Sequence, residues 1–522
     1  MSASYITPIS AASEPCTFAR AHAHSQEVER ELRAKQMLRA EHAEVETFVE
    51  KQGREWARLM LEGQFALRAE LEQRVKVVGA DGGERSSARS TGRTVESLFG
   101  LVAVPRLGYQ EPGHKDLHPM DGALNLAADH FSFGVRQLVA KESARASFDE
   151  VVELIRDRSG AEVAKRQVEE LAVRAACDFD AFYEVRRHVR CATTDLLLVL
   201  STDAKGIVMR HEDLRDATRL AAEQKANKLE MRLSPGEKAD RKRMAQVCAV
   251  YSVEPWQRTA ADVLHVLRDE NSDAKRPRPS DKRVWASVEK DPRKVIRQAF
   301  EEALRRDPER RRRWVVLVDG EPRQLKAVKA EAKRAGVKVA LVLDVVHVLE
   351  YLWLAARALF AGTTQEAETW VGHRLLGLLT GRSGGDVAGT IRWWAESRKA
   401  QLDTAGRKAI KKACGYLGNR TRTRLMHYAG ALRDGLPIAT GVIEGACRYL
   451  VKDRMDRTGA CWSLEGAEAV LRLRALRASG DFDDYWLFHL AREKGRNHAS
   501  RYAHGEIPDL LPSRKRHLRR IK

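Results

Sequence analysis

The spacing of apolar positions divides the chain into zones of different periodicity. From 26 to 75 there is no proline, and Leu32, Met37, Leu38, Val45, Phe48, Val49, Trp56, Leu59 and Met60 recur mostly at three- and four-residue steps. That spacing predicts one helical face, either an arm packed on its own chain or a helix pair that oligomerises. GADGGERSSARSTGR (79–93) reads as a flexible linker, 94–109 as a short β-hairpin, and EPGHKDLHP (111–119) as an irregular turn. SFDEVVELIRDRSG (147–160) is an amphipathic helix ending on Gly160, and AEVAKRQVEELAVR (161–174) is a second. Two helices joined by a short glycine-containing turn fit a helix-turn-helix, with Lys165, Arg166 and Gln167 as its base- or phosphate-facing residues. An ordinary helical hairpin has the same pattern.

The middle of the chain changes period. DLLLVLSTDAKGIVMR (195–210) reads as a buried strand, a tight turn at Ala204-Lys205-Gly206 and a second strand, and RMAQVCAVYSVEP (243–255) as a third. Residues 314–336 read as a strand followed by a helix closed by Gly336, and 337–360 repeat that unit. Three strands followed by strand-helix-strand-helix predict an α/β layer with a mixed sheet. Residues 361–439 read as helical, with Trp370, Trp393 and Trp394 as packing anchors, and 440–458 as a further helix capped by Thr440.

Composition narrows the function classes. The 522 residues carry 92 Lys+Arg against 73 Asp+Glu, a formal charge of +19, and 43% are hydrophobic. A chain with that much apolar material builds a core and is not a wholly disordered basic tail. It contains no run of 18 apolar residues, so no membrane span is expected, and MSASYITPISAASEP lacks the pattern of a secretory signal. The seven cysteines are scattered with no C-x-x-C pair, so neither a disulfide framework nor a zinc ribbon is expected, and the reading is a reduced, cytoplasmic protein. Basic clusters at 276–283, 309–313 and 513–522 point to a polyanion, nucleic acid first, bound through counterion release. Each cluster taken singly also reads as a solvated surface run.

Two aspartates stand at the ends of apolar runs: Asp203 after LLLVLST and Asp319 after WVVLV. A carboxylate there is costly unless it is paired or binds a cation, and two on adjacent strands repel each other unless a divalent ion lies between them. Glu444, in GVIEG near a helix start, is the candidate third ligand. Such an oxygen-rich set suits Mg²⁺ or Mn²⁺ and not zinc, and a two-metal site of this kind performs phosphoryl transfer. Each acid also has a bland reading, the aspartates as turn formers and Glu444 as a first-turn helix carboxylate.

GVIEGACRYLVKDRMDRTGACWSLEGAEAVLRLRAL (441–476), with VDGEPRQL (318–325) and LDVVHVLEYLW (343–353), resembles the ISKra-type insertion-sequence transposases, which are similar in plan to Mutator-type transposases. The resemblance covers roughly 95–510 and is densest in the C-terminal third. It implies an RNase H-like catalytic domain with a DDE triad at Asp203, Asp319 and Glu444 holding two Mg²⁺ or Mn²⁺ ions, and a helical insertion before the glutamate. Asp344 and His347 match the family's Asp-x-x-His and are candidates for active-site support, while Asp344 reads equally as an ordinary helix cap. Lys452, Arg454 and Arg457 are candidates for phosphate contacts, and Trp462 for stacking or core packing, core being favoured. Relatives often carry a zinc site where this chain has only His114 and His118, so no zinc is expected. Asp195 starts the same strand as Asp203, but the resemblance favours Asp203.

The expected plan is therefore an N-terminal helical region (1–78), a linker and small β segment (79–125) and a helix-turn-helix domain (126–190). The catalytic core (191–360) follows, then the helical insertion (361–439), the C-terminal core helix (440–480) and a basic tail (481–522). The expected function is a nucleoid-associated DNA transposase that binds terminal inverted repeats, acts as a dimer or larger assembly, and cuts and joins DNA strands. The rival expectations are a non-catalytic DNA-binding regulator that kept the fold, or an RNase H-like nuclease.

Overall fold

The computed structural model describes residues 17–186, 195–224, 241–267, 276–360, 365–422, 425–457 and 459–511. The chain divides into two compact units, Met1–Asp178 with Asp483–Lys522, and Phe179–Phe482. Among the described residues no helix is long and apolar enough to cross a membrane. The basic run at 513–522 lies outside them.

In the first unit the predicted helical face at 26–75 is two helices, Ala19–Leu32 and His42–Leu71, broken where Glu41 and Glu44 form a capping box. Leu59 and Phe65 are buried, whereas Leu38, Val49 and Trp56 stay exposed. The segment expected to be a linker is folded. Strands β1 (Val77–Val78) and β2 (Glu84–Arg85) pair across a tight turn, and β3 (Ser87–Ser97) pairs residue for residue with β4 (Gly100–Gln110). Glycine and serine hid the strand, because its apolar partner surface comes from Val102 and Val104 on β4 and Phe65 on the long helix. Asp81 in the β1–β2 turn holds both Arg85, at 2.6 Å, and the imidazole of His114, at 3.1 Å.

Three helices, Phe133–Ser143, Phe148–Ser159 and Lys165–Ala175, share a core of Val135, Val139, Val151, Ile155, Val163, Val168 and Leu171. Ser147 caps the second helix through a capping box, and Gly160 ends it at φ +69°, a conformation that favours glycine. The third helix starts at Lys165 and not at Ala161, because Ala161 and Val163 are drawn into the core ahead of it. Residues 481–511 are not a tail. The helix Phe482–Asn497 continues into this unit, where Tyr485 donates to the Ala175 carbonyl and His489 bonds the Asp178 carboxylate at 2.8 Å.

The second unit is built on a mixed five-stranded sheet in the order β7-β6-β5-β8-β9, formed by β5 (Leu197–Val208), β6 (Lys242–Val253), β7 (Ser280–Ser287), β8 (Trp314–Val318) and β9 (Val339–Leu343). β5, β6 and β7 are antiparallel; β8 and β9 run parallel to β5. The expected turn at Ala204-Lys205-Gly206 does not exist. β5 is a single strand, because β6 supplies a partner along its whole length, Lys205 opposite Ala245 and Gly206 opposite Met244.

Two of the basic clusters are partly structural. Arg283 from 276–283 lies in β7 and reaches the buried Glu302 at 2.5 Å. Arg312 from 309–313 is buried on the carbonyls of Leu196 and Leu197. The described helices that follow are Gln365–Leu379, Gly384–Ser397, Thr404–Arg422 and Tyr428–Arg433. Trp370 is core and meets Trp394 edge-on, whereas Trp393 is 67% exposed and only its contact with Trp394, ring centres 5.9 Å apart, ties it to that group.

Candidate active site

The register of β5 and β8 brings the two aspartates together. Ser201 pairs with Leu317, so Asp203 and Asp319 come level two residues further on, just past the end of β8. Asp203 is therefore in mid-strand, still paired to Val247 on β6, and it reaches a strand end only through its shorter neighbour. Asp195 precedes the opposite end of β5. β8 is buried along its full length, which fixes where its aspartate emerges.

Asp319 accepts the Glu321 N–H at 2.9 Å as the chain turns into the helix Pro322–Ala335. Burial pushes its carboxyl above the usual range; the Glu321 hydrogen bond opposes this, and the charge of Asp203 adds to it. Asp203 accepts from the Ala204 N–H with one oxygen and from the Cys447 thiol, at 3.2 Å, with the other. Burial, followed by the charge of Asp203, pushes that thiol well up, so Cys447 is a donor and not a thiolate.

Cys447 places Glu444. The two are one turn apart on a continuous helical segment, Gly441–Ala446 followed by a π-helical stretch Cys447–Lys452, and its first part packs on β5 and β6. Glu444 is exposed. The segment expected as a regular helix thus changes pitch directly after Glu444, a feature often found at functional sites.

Asp344 is buried at the end of β9. It caps the helix Val345–Leu359 through the Val346 N–H and also accepts the N–H and hydroxyl of Thr440. Thr440 therefore does not cap its own helix with its side chain; its hydroxyl ties the start of the Glu444 segment to β9. His347, one turn beyond Asp344, bonds Glu350 at 3.1 Å. Its burial lowers basicity, but the Glu350 hydrogen bond and the charges of Asp344, Glu350 and Asp319 outweigh that and raise it.

The other expected contact residues divide. Lys452 and Arg457 are exposed. Arg454 is corrected: it is 3% exposed and its guanidinium lies 4.6 Å from the centre of the Trp462 ring, which removes it from phosphate reach. Trp462 is core and donates its indole N–H to the Met455 carbonyl at 3.0 Å. In the first unit, Lys165 and Arg166 are exposed but ion-paired to Asp149 and Glu170, and Gln167 accepts the Ala164 N–H as a cap.

Several residues at the site carried no sequence signal. Besides Cys447, Tyr416 donates to the Asp319 carbonyl at 3.1 Å, and Arg420 lies so close over Gly320 that an added Cβ would meet its Nε at 2.6 Å. Both come from the helix Thr404–Arg422, distant in sequence. As a donor set, two carboxylates level on neighbouring strands fit a hard divalent cation such as Mg²⁺ or Mn²⁺. No family model matches the chain, and no curated protein matches it significantly.

Proposed function

We propose that this protein is a DNA transposase of an insertion sequence, with an RNase H-like core and a DDE triad of Asp203, Asp319 and Glu444. The observation that carries the reading is the level placement of Asp203 and Asp319 on neighbouring parallel strands, with the Glu444 segment held to Asp203 by Cys447. The strand order and the resemblance of 441–476 to ISKra-type transposases support it.

In this reading Asp203, Asp319 and Glu444 hold Mg²⁺ or Mn²⁺, which when bound supplies Lewis acidity and neutralises phosphate charge. Asp203 is oriented by Cys447 and Ala204, and Asp319 by the Glu321 N–H, so both carboxylates are fixed before DNA arrives. The same site serves two in-line displacements. Water attacks the phosphodiester at the element end and displaces its 3′-oxygen as a 3′-hydroxyl; that hydroxyl then attacks a target phosphodiester, joining to its 5′-phosphate and displacing the target strand's 3′-oxygen as a new 3′-hydroxyl. The three-helix core with Lys165 and Arg166 serves as the helix-turn-helix for the terminal inverted repeats, and pairing of two ends calls for a dimer or larger assembly.

The test uses labelled duplexes from the DNA flanking the gene, with Mg²⁺ or Mn²⁺, comparing wild type with Asp319→Asn and Glu444→Gln and measuring binding for all three. Cutting and joining by wild type, lost in both variants while binding persists, supports the proposal. Binding without cutting in either metal replaces it with the regulator reading, and cutting without joining replaces it with a nuclease.

A further inference from the structure

The helix Thr404–Arg422 contains Arg407, Lys408, Lys411, Lys412, Arg420 and Arg422 and not one aspartate or glutamate. Lys408, Lys411 and Lys412 are exposed together on one face, along with Gly415 and Asn419 further on. Tyr416 and Arg420 lie at the edge of that face nearest the aspartates. Tyr416 stacks on Tyr351 with ring centres 3.8 Å apart and planes 10° off parallel, and Lys412 sits 5.8 Å above the Tyr351 ring. The Tyr416 hydroxyl donates to the Asp319 carbonyl and shares a hydrogen bond with Arg420. The guanidinium of Arg420 lies 5.2 Å from the Tyr416 ring centre and packs over Gly320.

One basic face therefore runs along the helix and ends at the backbone of Asp319. From Lys408 to Arg420 is about 18 Å of helix, the axial length of about five base pairs. A surface cation cluster alone would be a solvated run; this one is aimed, because its last member is held against the site by an aromatic pair that fixes Asp319 as well.

We propose that this helix is a DNA-backbone track, in which Lys408, Lys411 and Lys412 hold phosphates of the strand approaching the site and Arg420 holds the phosphate beside Asp319. The assignment rests on the reading of the aspartates as a phosphoryl-transfer site, but its test does not require cutting. Binding of a fluorescein-labelled, mixed-sequence duplex of about thirty base pairs is followed by anisotropy without divalent metal, from about 50 to 200 mM salt. Each phosphate contact contributes about 0.9 to the slope of log affinity against log salt.

The triple variant Lys408→Glu, Lys411→Glu, Lys412→Glu is expected to lose about two to three from that slope and at least roughly tenfold in affinity at the lowest salt. Arg420→Gln is expected to lose about one, and Arg420→Lys to keep the slope. The control carries the same charge change on the exposed face of Pro322–Ala335, as Lys326→Glu, Lys329→Glu, Lys333→Glu, and is expected to keep most of it. Circular dichroism checks that each variant is folded. An unchanged slope in the Lys408/Lys411/Lys412 variant, or an equal loss in the control, overturns the track. Failure of wild type to cut DNA overturns the transposase reading and leaves the track standing on the binding result.

Discussion

Replacing Asp319 by Asn should make the metal-free protein more stable, and the size of the effect follows from the sheet. Neighbouring strands lie about 4.8 Å apart, so level carboxylates on β5 and β8 are separated by roughly 5 Å. Two like charges at that distance repel by about 3 kcal/mol at an effective dielectric of 20. Asp203 is half-buried and Asp319 mostly covered, so solvent screening reduces this to about 1–2 kcal/mol. Asn keeps the oxygen that accepts the Glu321 N–H, so the repulsion is removed without losing the turn.

The sign with pH is fixed as well. The folded carboxyl of Asp319 is held above its unfolded value, so its penalty is absent below the unfolded pKa and complete above the folded one. The assay is thermal unfolding at neutral pH in chelator and again in Mg²⁺. In chelator, Asp319→Asn should unfold about 2–4 °C higher for each kcal/mol gained. Added Mg²⁺ should raise the wild type, by up to about 2.7 kcal/mol at a hundredfold excess over its dissociation constant, and raise the variant much less. A variant that is less stable than wild type in chelator, or that responds equally to Mg²⁺, would refute the argument that these two carboxylates form one strained, cation-ready pair.

Other outcomes follow from the packing. Glu302 is fully buried and receives Arg283 at 2.5 Å and Arg306 at 2.8 Å; Glu302→Gln leaves the buried Arg283 without a carboxylate, while Arg306 keeps Asp281 at 3.2 Å, and should cost about 3 kcal/mol in urea unfolding; a loss below about 1 kcal/mol would show the charges rearranging. Burial alone would raise Asp178, but His489 and Arg496 outweigh it and hold its carboxyl low, while burial lowers His489, so both groups lose stability as pH falls. The first unit should accordingly weaken between about pH 6.5 and pH 3, the His489 part first, and Asp178→Asn should flatten that profile of melting temperature against pH. Gly320 adopts φ +87° against Arg420 and Leu343, so Gly320→Ala should cost about 1–2 kcal/mol and weaken metal-dependent stabilisation together; a neutral result in both melts would mean the turn relaxes freely.

Much of the second unit was legible because buried parallel strands leave short uninterrupted apolar runs. WVVLV and VALVL became β8 and β9, Gly336 closes the helix after β8 where the pattern placed it, and the acid after each strand lies at the same end of the sheet. Asp319 was therefore readable from its position alone. Asp203 was located for a wrong local reason: the turn inferred from Ala-Lys-Gly is continuous strand, and the residue reaches the site because β8 stops and β5 does not. The hairpin read at 94–109 is present, but its first strand begins at Ser87; residues 87–93 were missed because a strand whose apolar partner surface is supplied by a neighbour need not be apolar itself.

What the sequence alone determined were properties carried by near neighbours in the chain: which segments are helical or extended, where glycine and proline end them, and which acids follow apolar runs. Only the tertiary structure decided which charges are available for function. Arg312 and Arg454, equal in sequence terms to any surface arginine, are buried on carbonyls and on an indole, while Lys408, Lys411 and Lys412 remain on an open face. Cys447 against Asp203 and Arg420 against Gly320 are likewise contacts between residues far apart in the chain. The physical reason is that helical and strand periodicity are set by local sterics, whereas burial and the pairing of charges depend on surfaces that exist only once distant segments have packed.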